Sequence, residues 1–182
     1  MAIRFLLLFL MACSAFGAEV AGVKLPDEDQ KLVLNGAGLR KRVFFQVYVI
    51  GLYLPEKKTS AADVIGGPGP KRVLIHMLRD VDAEQFSGAL TDGMKDNVSE
   101  AEMKALEPRI KQLSAIMEMM KEAKKGMRIT LDWTTAGTAV TVDGKTAGSP
   151  IAGEDFYRAL LKVWLGEKPV QDDLKAALLG AK

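Results

Sequence analysis

The strongest constraint in this sequence is residues 42–54, where Val43, Phe45, Val47 and Val49 alternate with Phe44, Gln46, Tyr48, Ile50 and Leu52. Alternation with a period of two makes this segment a β-strand, and both of its faces are mostly apolar. A strand without a wet face belongs inside a sheet, covered on both sides, or covered on one side and facing a cavity on the other. Gly51 within it predicts a bulge or a close approach by another group.

Around this strand the pattern gives strands first, helices in the middle, a hairpin, and helices at the end, an α+β order with no visible repeat. Earlier strands are expected at 21–25 and 31–34, the second ending at the turn signal Asn35-Gly36 and followed by a bent Gly36-Ala37-Gly38 loop. A further strand is expected at 72–78. Asp82 then caps a helix that places Phe86, Leu90 and Met94 on one face. Ser99 and Glu102 form a capping box, opening a helical segment to about residue 125 with Ile110, Leu113, Met117 and Met120 on one stripe. Pro108 is expected to break or kink it, and Gly126 to end it. Residues 127–133 alternate as a half-buried strand, paired with 138–142 and followed by an Asp143-Gly144 turn. Helices are expected at 154–165 and 171–179.

The N-terminus carries Arg4, an apolar run at 5–11, and small residues at Ala15 and Gly17. That arrangement predicts a cleavable signal over residues 1–17, export to a periplasm-like compartment, and a mature domain over 18–182. A lipid anchor on Cys13, within Leu10-Met11-Ala12-Cys13, is the alternative reading. The run is shorter than the roughly 20 residues a permanent span requires, so no mature transmembrane helix is expected.

Composition removes several classes of function. The net charge of +2 comes from interspersed charges without a basic block, which gives no footprint for nucleic acid. Cys13 is the one cysteine and His76 the one histidine. A mature domain therefore has no disulfide and no cysteine or paired-histidine metal site. No Gly-x-Ser-x-Gly elbow, phosphate loop or dinucleotide fingerprint occurs, so no cofactor is expected. His76 reads as structural or exposed, and the helix methionines as core filling. Lys121, Lys124 and Lys125 suit the negative end of a helix.

Residues 34–55, LNGAGLRKRVFFQVYVIGLYLP, deliver Arg40 to the mouth of the doubly apolar strand. Here the chain resembles the chalcone isomerase-like proteins, in a G-A-G-x-R turn (Gly36 to Arg40) that leads into a long strand ending in G-x-Y-L (Gly51 to Leu54). Residues 82–92 are similar to the family's next helix. Leu165-Gly166-Glu167 and Asp173-Leu174-Lys175 are similar to its C-terminal end. The resemblance implies a curved antiparallel sheet with helices packed on one face and a ligand cleft between them. It also implies an arginine, a strand threonine, a tyrosine, an asparagine and a late threonine for the ring-closing lyases. Arg40 keeps the first, while the others fall on Tyr48, Phe86, Gly93 and Val163. Phe86, Gly93 and Val163 offer no side-chain donor to a developing oxyanion, so no catalytic residue is assigned.

The pair Arg40 and Tyr48 is instead similar to the fatty-acid-binding branch, in which an arginine and a tyrosine hold a carboxylate. The expected partner is a small apolar or amphipathic anion, with Phe44, Phe86 and Val163 along its tail. Eight residues of straight strand would separate Arg40 from Tyr48 by about 26 Å, so the chain must curl or bend between them. An intramolecular lyase and a structural or partner-binding envelope protein are the two alternative functions.

Overall fold

The computed structural model describes residues 17–181. The apolar run of the expected signal and Cys13 lie outside the described residues. A small hairpin of β1 (Glu19–Val20) and β2 (Val23–Lys24) leads into β3 (Glu28–Asp29), β4 (Leu32–Arg42) and β5 (Phe45–Leu54). Then come α1 (Ala61–Gly66), β6 (Lys71–Met77), β7 (Val81–Asp82), α2 (Ala83–Lys95), α3 (Glu100–Glu118) and β8 (Glu122–Ala123). The chain finishes with β9 (Arg128–Thr134), β10 (Gly137–Val142), β11 (Lys145–Thr146), α4 (Glu154–Leu165) and α5 (Asp172–Leu178). Seven strands form one curled antiparallel sheet in the order β11-β10-β9-β6-β5-β4-β3. No helix among the described residues is long and apolar enough to cross a membrane.

The two apolar faces of β5 each find a cover. Tyr48, Ile50, Leu52 and Leu54 join the main core with residues of all five helices. Val49 and Tyr53 face the other way, into a smaller cluster with Leu25, Leu32, Leu34 and Leu74 beneath the N-terminal hairpin. Gly51 lies on that second face, where a Cβ would come within 3.1–3.3 Å of Tyr53, Leu25 and Leu34. Elsewhere on the outer face, Arg72 forks onto Asp132 through two 2.7 Å hydrogen bonds and reaches Asp29 at 2.6 Å, tying β3, β6 and β9 together.

The helices start where their caps predict. Asp82 accepts from the N–H groups of Glu84 and Gln85, and Ser99 and Glu102 complete the capping box. The Asp143-Gly144 turn has positive φ at both residues and joins Val142 to its partner Lys145, the conformation that Asp-Gly favours. Helices α4 and α5 lie almost at the expected bounds.

Four sequence expectations are corrected. Residues 21–25 are not one strand, because the chain turns at Ala21 and Gly22, both with positive φ. Asn35-Gly36 is not a turn either: β4 runs through it with an irregularity between Leu34 and Gly36. The Asn35 side chain donates to the carbonyls of Lys58 and Leu178 and accepts from the Lys58 N–H. The glycines beside it make room for α5, since a Cβ at Gly36 would stand 2.1 Å from the Ala177 carbonyl oxygen. Residues 42–54 are not one strand, because Val43 and Phe44 form the loop of a hairpin in which Arg42 pairs with Phe45. Finally, α3 passes through Pro108 and stops at Glu118 rather than near 125. Pro108 and Lys104, whose carbonyl loses its usual partner, both sit on the exposed face, where water can replace the missing bond. Lys121 then takes a positive φ, and Glu122–Ala123 pairs with β7.

Candidate functional site

The β4–β5 hairpin settles how Arg40 meets Tyr48. The two residues are directly opposed across the ladder, so no bend in a single strand is needed. Tyr48 points into the main core, and Phe86 from α2 meets it edge-on with ring centroids 6.3 Å apart. Trp164, from α4, donates its indole N–H to the Tyr48 oxygen at 2.9 Å. Burial pushes the Tyr48 phenol above its ordinary range, opposed by the Trp164 bond and the nearby Arg40 charge, so the group is a neutral phenol at physiological pH. With its oxygen already accepting from Trp164, the hydroxyl still holds one proton to donate.

Arg40 is half-buried and is held by neutral groups. Its Nη1 donates to the Lys41 carbonyl and, at 3.3 Å, to the Gln171 Oε1. Gln171 also accepts from the Lys41 N–H at 2.8 Å and donates to the Leu39 carbonyl at 3.1 Å, which fastens the start of α5 to the end of β4. Among the described residues, no carboxylate forms an ion pair with Arg40. A guanidinium bound only by neutral acceptors keeps donors for an anion.

Arg40 and Tyr48 line a cavity of about 90 Å³ whose apolar lining includes Val47, Val81, Phe86, Leu90, Val163 and Val170. It is continuous in lining with an open depression of about 450 Å³, which shares Arg40, Arg42, Gln85, Ala89 and Val170. Of the candidate residues, Arg40, Tyr48, Phe86 and Val163 are brought together. Phe44 is not, because it stands at the hairpin tip, 94% exposed.

The remaining polar positions of the ring-closing set face each other. A Cβ at Gly93 would lie 2.8 Å from Cγ1 of Val163, so close packing of α2 on α4 occupies the space an asparagine would use. Trp164 and Gln171 were not picked out as site residues in the sequence. Trp164 sits in the apolar run of α4 like any core residue, and Gln171 acts through a contact between chain segments 130 residues apart.

A larger groove of about 520 Å³ runs between α1, α3 and α4, and three of the four charged side chains that line it are already engaged. Glu102 is bound to Ser99, Asp155 to Arg109, and Arg158 to Glu154. His76 stays half-buried on the outer face of β6, opposite Val49 and Arg128; it is next to the Met77–Tyr48 pair in register but faces the other side of the sheet from the site.

No curated protein matches the chain in sequence. Its fold is similar to the crystal structure of a fatty-acid binding protein from Arabidopsis thaliana, with a TM-score of 0.69 at 15% identity, covering 87% of this chain and 92% of that one. The family model described as chalcone isomerase-like matches residues 17–180. Glycine-floored β4, the G-x-Y-L end of β5 and the helical cover over a single curled sheet are thus explained together: this chain belongs to the chalcone isomerase-like family.

Proposed function

We propose that the protein binds a small apolar anion, with a fatty acid as the model ligand, and does not catalyse ring closure. The observation that carries this reading is Arg40, a guanidinium without a carboxylate partner among the described residues, set beside the Tyr48 hydroxyl over an apolar hollow. On this reading one carboxylate oxygen accepts from Arg40 and the other from Tyr48, while Trp164 fixes the phenol from behind. The similar fold of a fatty-acid binding protein supports the choice of ligand class. A cavity of 90 Å³ is small beside the roughly 300–1,000 Å³ of usual ligand pockets. The inner hollow therefore takes a few carbons, and the rest of the ligand lies in the open depression toward Ala89 and Val170. The ring-closing alternative asks for side-chain donors at 86, 93 and 163, where Phe, Gly and Val stand.

Titration with medium-chain and long-chain fatty acids tests the proposal, with Arg40→Met expected to weaken binding by about ten- to a hundredfold through loss of a charge-assisted bond. Equal affinity of parent and variant, or no affinity of the parent at all, removes it. Export over residues 1–17 is part of the same proposal. An intact Met1 on protein recovered from the producing cell's envelope removes that part.

A further inference from the structure

We propose that the β4–β5 hairpin tip is a docking point for an anionic lipid bilayer. Four large hydrophobic side chains are exposed among the described residues, and three of them are consecutive at this tip: Val43 at 79%, Phe44 at 94% and Phe45 at 59%. Single exposed hydrophobics are ordinary on a soluble surface, whereas a contiguous protruding group marks a contact site.

The local backbone strengthens the point. Val43 adopts φ 56 in the two-residue loop, a conformation that glycine or asparagine takes easily and that is an outlier for a β-branched residue. Hairpin geometry alone does not account for bulky apolar residues there.

What surrounds the apex selects the partner. Lys41 and Arg42 precede it, both exposed. Arg79 stacks over the Phe45 ring at 4.6 Å. Beside Arg79, Asp80 accepts from the backbone N–H of Lys125 at 2.7 Å, which brings exposed Lys124 and Lys125 to the same end of the sheet. Asp80 is the carboxylate of this set, and the cations outnumber it. An apolar aromatic apex inside a basic collar fits a surface that is negative outside and greasy beneath, which is the profile of an anionic bilayer. A protein partner would need a shaped complement, and nothing about the protruding tip specifies one.

The inference does not rest on the ligand. It does place the bilayer next to the cavity mouth, because Arg42 belongs to both features.

The test is sedimentation with vesicles of mixed phosphatidylglycerol and phosphatidylcholine against vesicles of phosphatidylcholine alone. Among the described residues, all strands and helices lie between Glu19 and Leu178, so a chain begun at Ala18 keeps these elements and leaves out the apolar run at 5–11. That chain is expected to bind the anionic vesicles preferentially and to be released by high salt. Phe44→Ser should weaken binding about tenfold or more. Lys41→Glu with Arg42→Glu should weaken it about 25-fold or more, at roughly fivefold for each cation removed. All three positions are exposed, so Tm should stay within a degree or two of the parent, which separates lost docking from lost folding. Absence of binding to anionic vesicles, equal binding to both compositions, or full binding by Phe44→Ser overturns the proposal. So does a dimer in sedimentation equilibrium that Phe44→Ser dissolves, which would assign the tip to a second copy of the chain.

Discussion

Replacing Tyr48 with phenylalanine probes the centre of the site without altering its shape. The ring and its contact with Phe86 remain, and the atom removed is the oxygen that accepts the Trp164 N–H at 2.9 Å. Trp164 is 1% exposed, so water cannot take over, and no other acceptor reaches its Nε1 among the described residues. A buried donor left without a partner costs about 1–3 kcal/mol. The variant no longer has to desolvate a hydroxyl, which returns part of that, leaving a net loss of about 1–2 kcal/mol. For a domain of this size each kcal/mol shifts Tm by about 2–4 °C, so Tm should fall by about 2–8 °C. Urea denaturation reads the loss directly, and a double-mutant cycle with Trp164→Phe isolates the bond from the packing change that the smaller ring brings. The double variant should lose about 1 kcal/mol less than the two single variants added together. If Tyr48→Phe stays within about 0.5 kcal/mol of the parent, or the cycle is additive, then Trp164 does not depend on the phenol and the assignment of Tyr48's free proton fails with it.

Three further outcomes follow from the same structure. All three tyrosines have phenols raised above their ordinary range, with burial the largest cause in each, so the folded state keeps protons that the unfolded state releases above about pH 10. Their stabilisation is complete below that pH and is lost as pH rises, by up to about 4 kcal/mol per pH unit for the three together; absorbance at 295 nm should show little phenolate in the folded protein at pH 10.5, and prompt titration of all three would contradict this. Gly36→Ala sets a Cβ against the Ala177 carbonyl and should cost about 2–3 kcal/mol in urea denaturation, an argument that an unchanged midpoint would defeat. Val43→Gly relieves the positive φ at the hairpin tip and should raise stability by about 1 kcal/mol; a lower Tm would show that the loop conformation is not strained.

The sequence revealed most where one local rule acted alone. The caps at Asp82 and Ser99, the Asp-Gly turn and the amphipathic face of Phe86, Leu90 and Met94 depend on neighbours within a few residues, and the structure has them in place. It misled where a distant segment decided the outcome. Asn35-Gly36 has the composition of a turn, but its amide is engaged by Lys58 and Leu178 and its missing Cβ accommodates the carbonyls of α5, 140 or so residues later. The hairpin at Val43-Phe44 was invisible because neither residue is a turn former, and the alternation continues straight through it. That error also created the apparent 26 Å gap between Arg40 and Tyr48 and assigned Phe44 to a cavity it does not touch. Trp164 escaped notice because a polar N–H on a core indole leaves no mark in the hydrophobic pattern.

The apolar residues at 86, 93 and 163 also explain how the fold packs without the polar set expected of a ring-closing lyase. Phe86 is 3% exposed and Val163 1%, and Gly93 packs directly against Val163, so these places now contribute apolar contact between α2, α4 and β5. A buried donor waiting for a transient oxyanion is a cost whenever the site is empty, and an apolar residue there removes it. What remains polar is arranged differently. Trp164 satisfies Tyr48, Gln171 satisfies the backbone at Leu39 and Lys41, and the surplus donors belong to Arg40 and the phenol, both at the same rim. Two adjacent donors at the mouth of a hollow can grip one end of a molecule but cannot stabilise charge at two separated oxygens. Polarity of that kind fits holding an anion better than turning one over, and this is the physical basis of the binding role proposed for Arg40 and Tyr48.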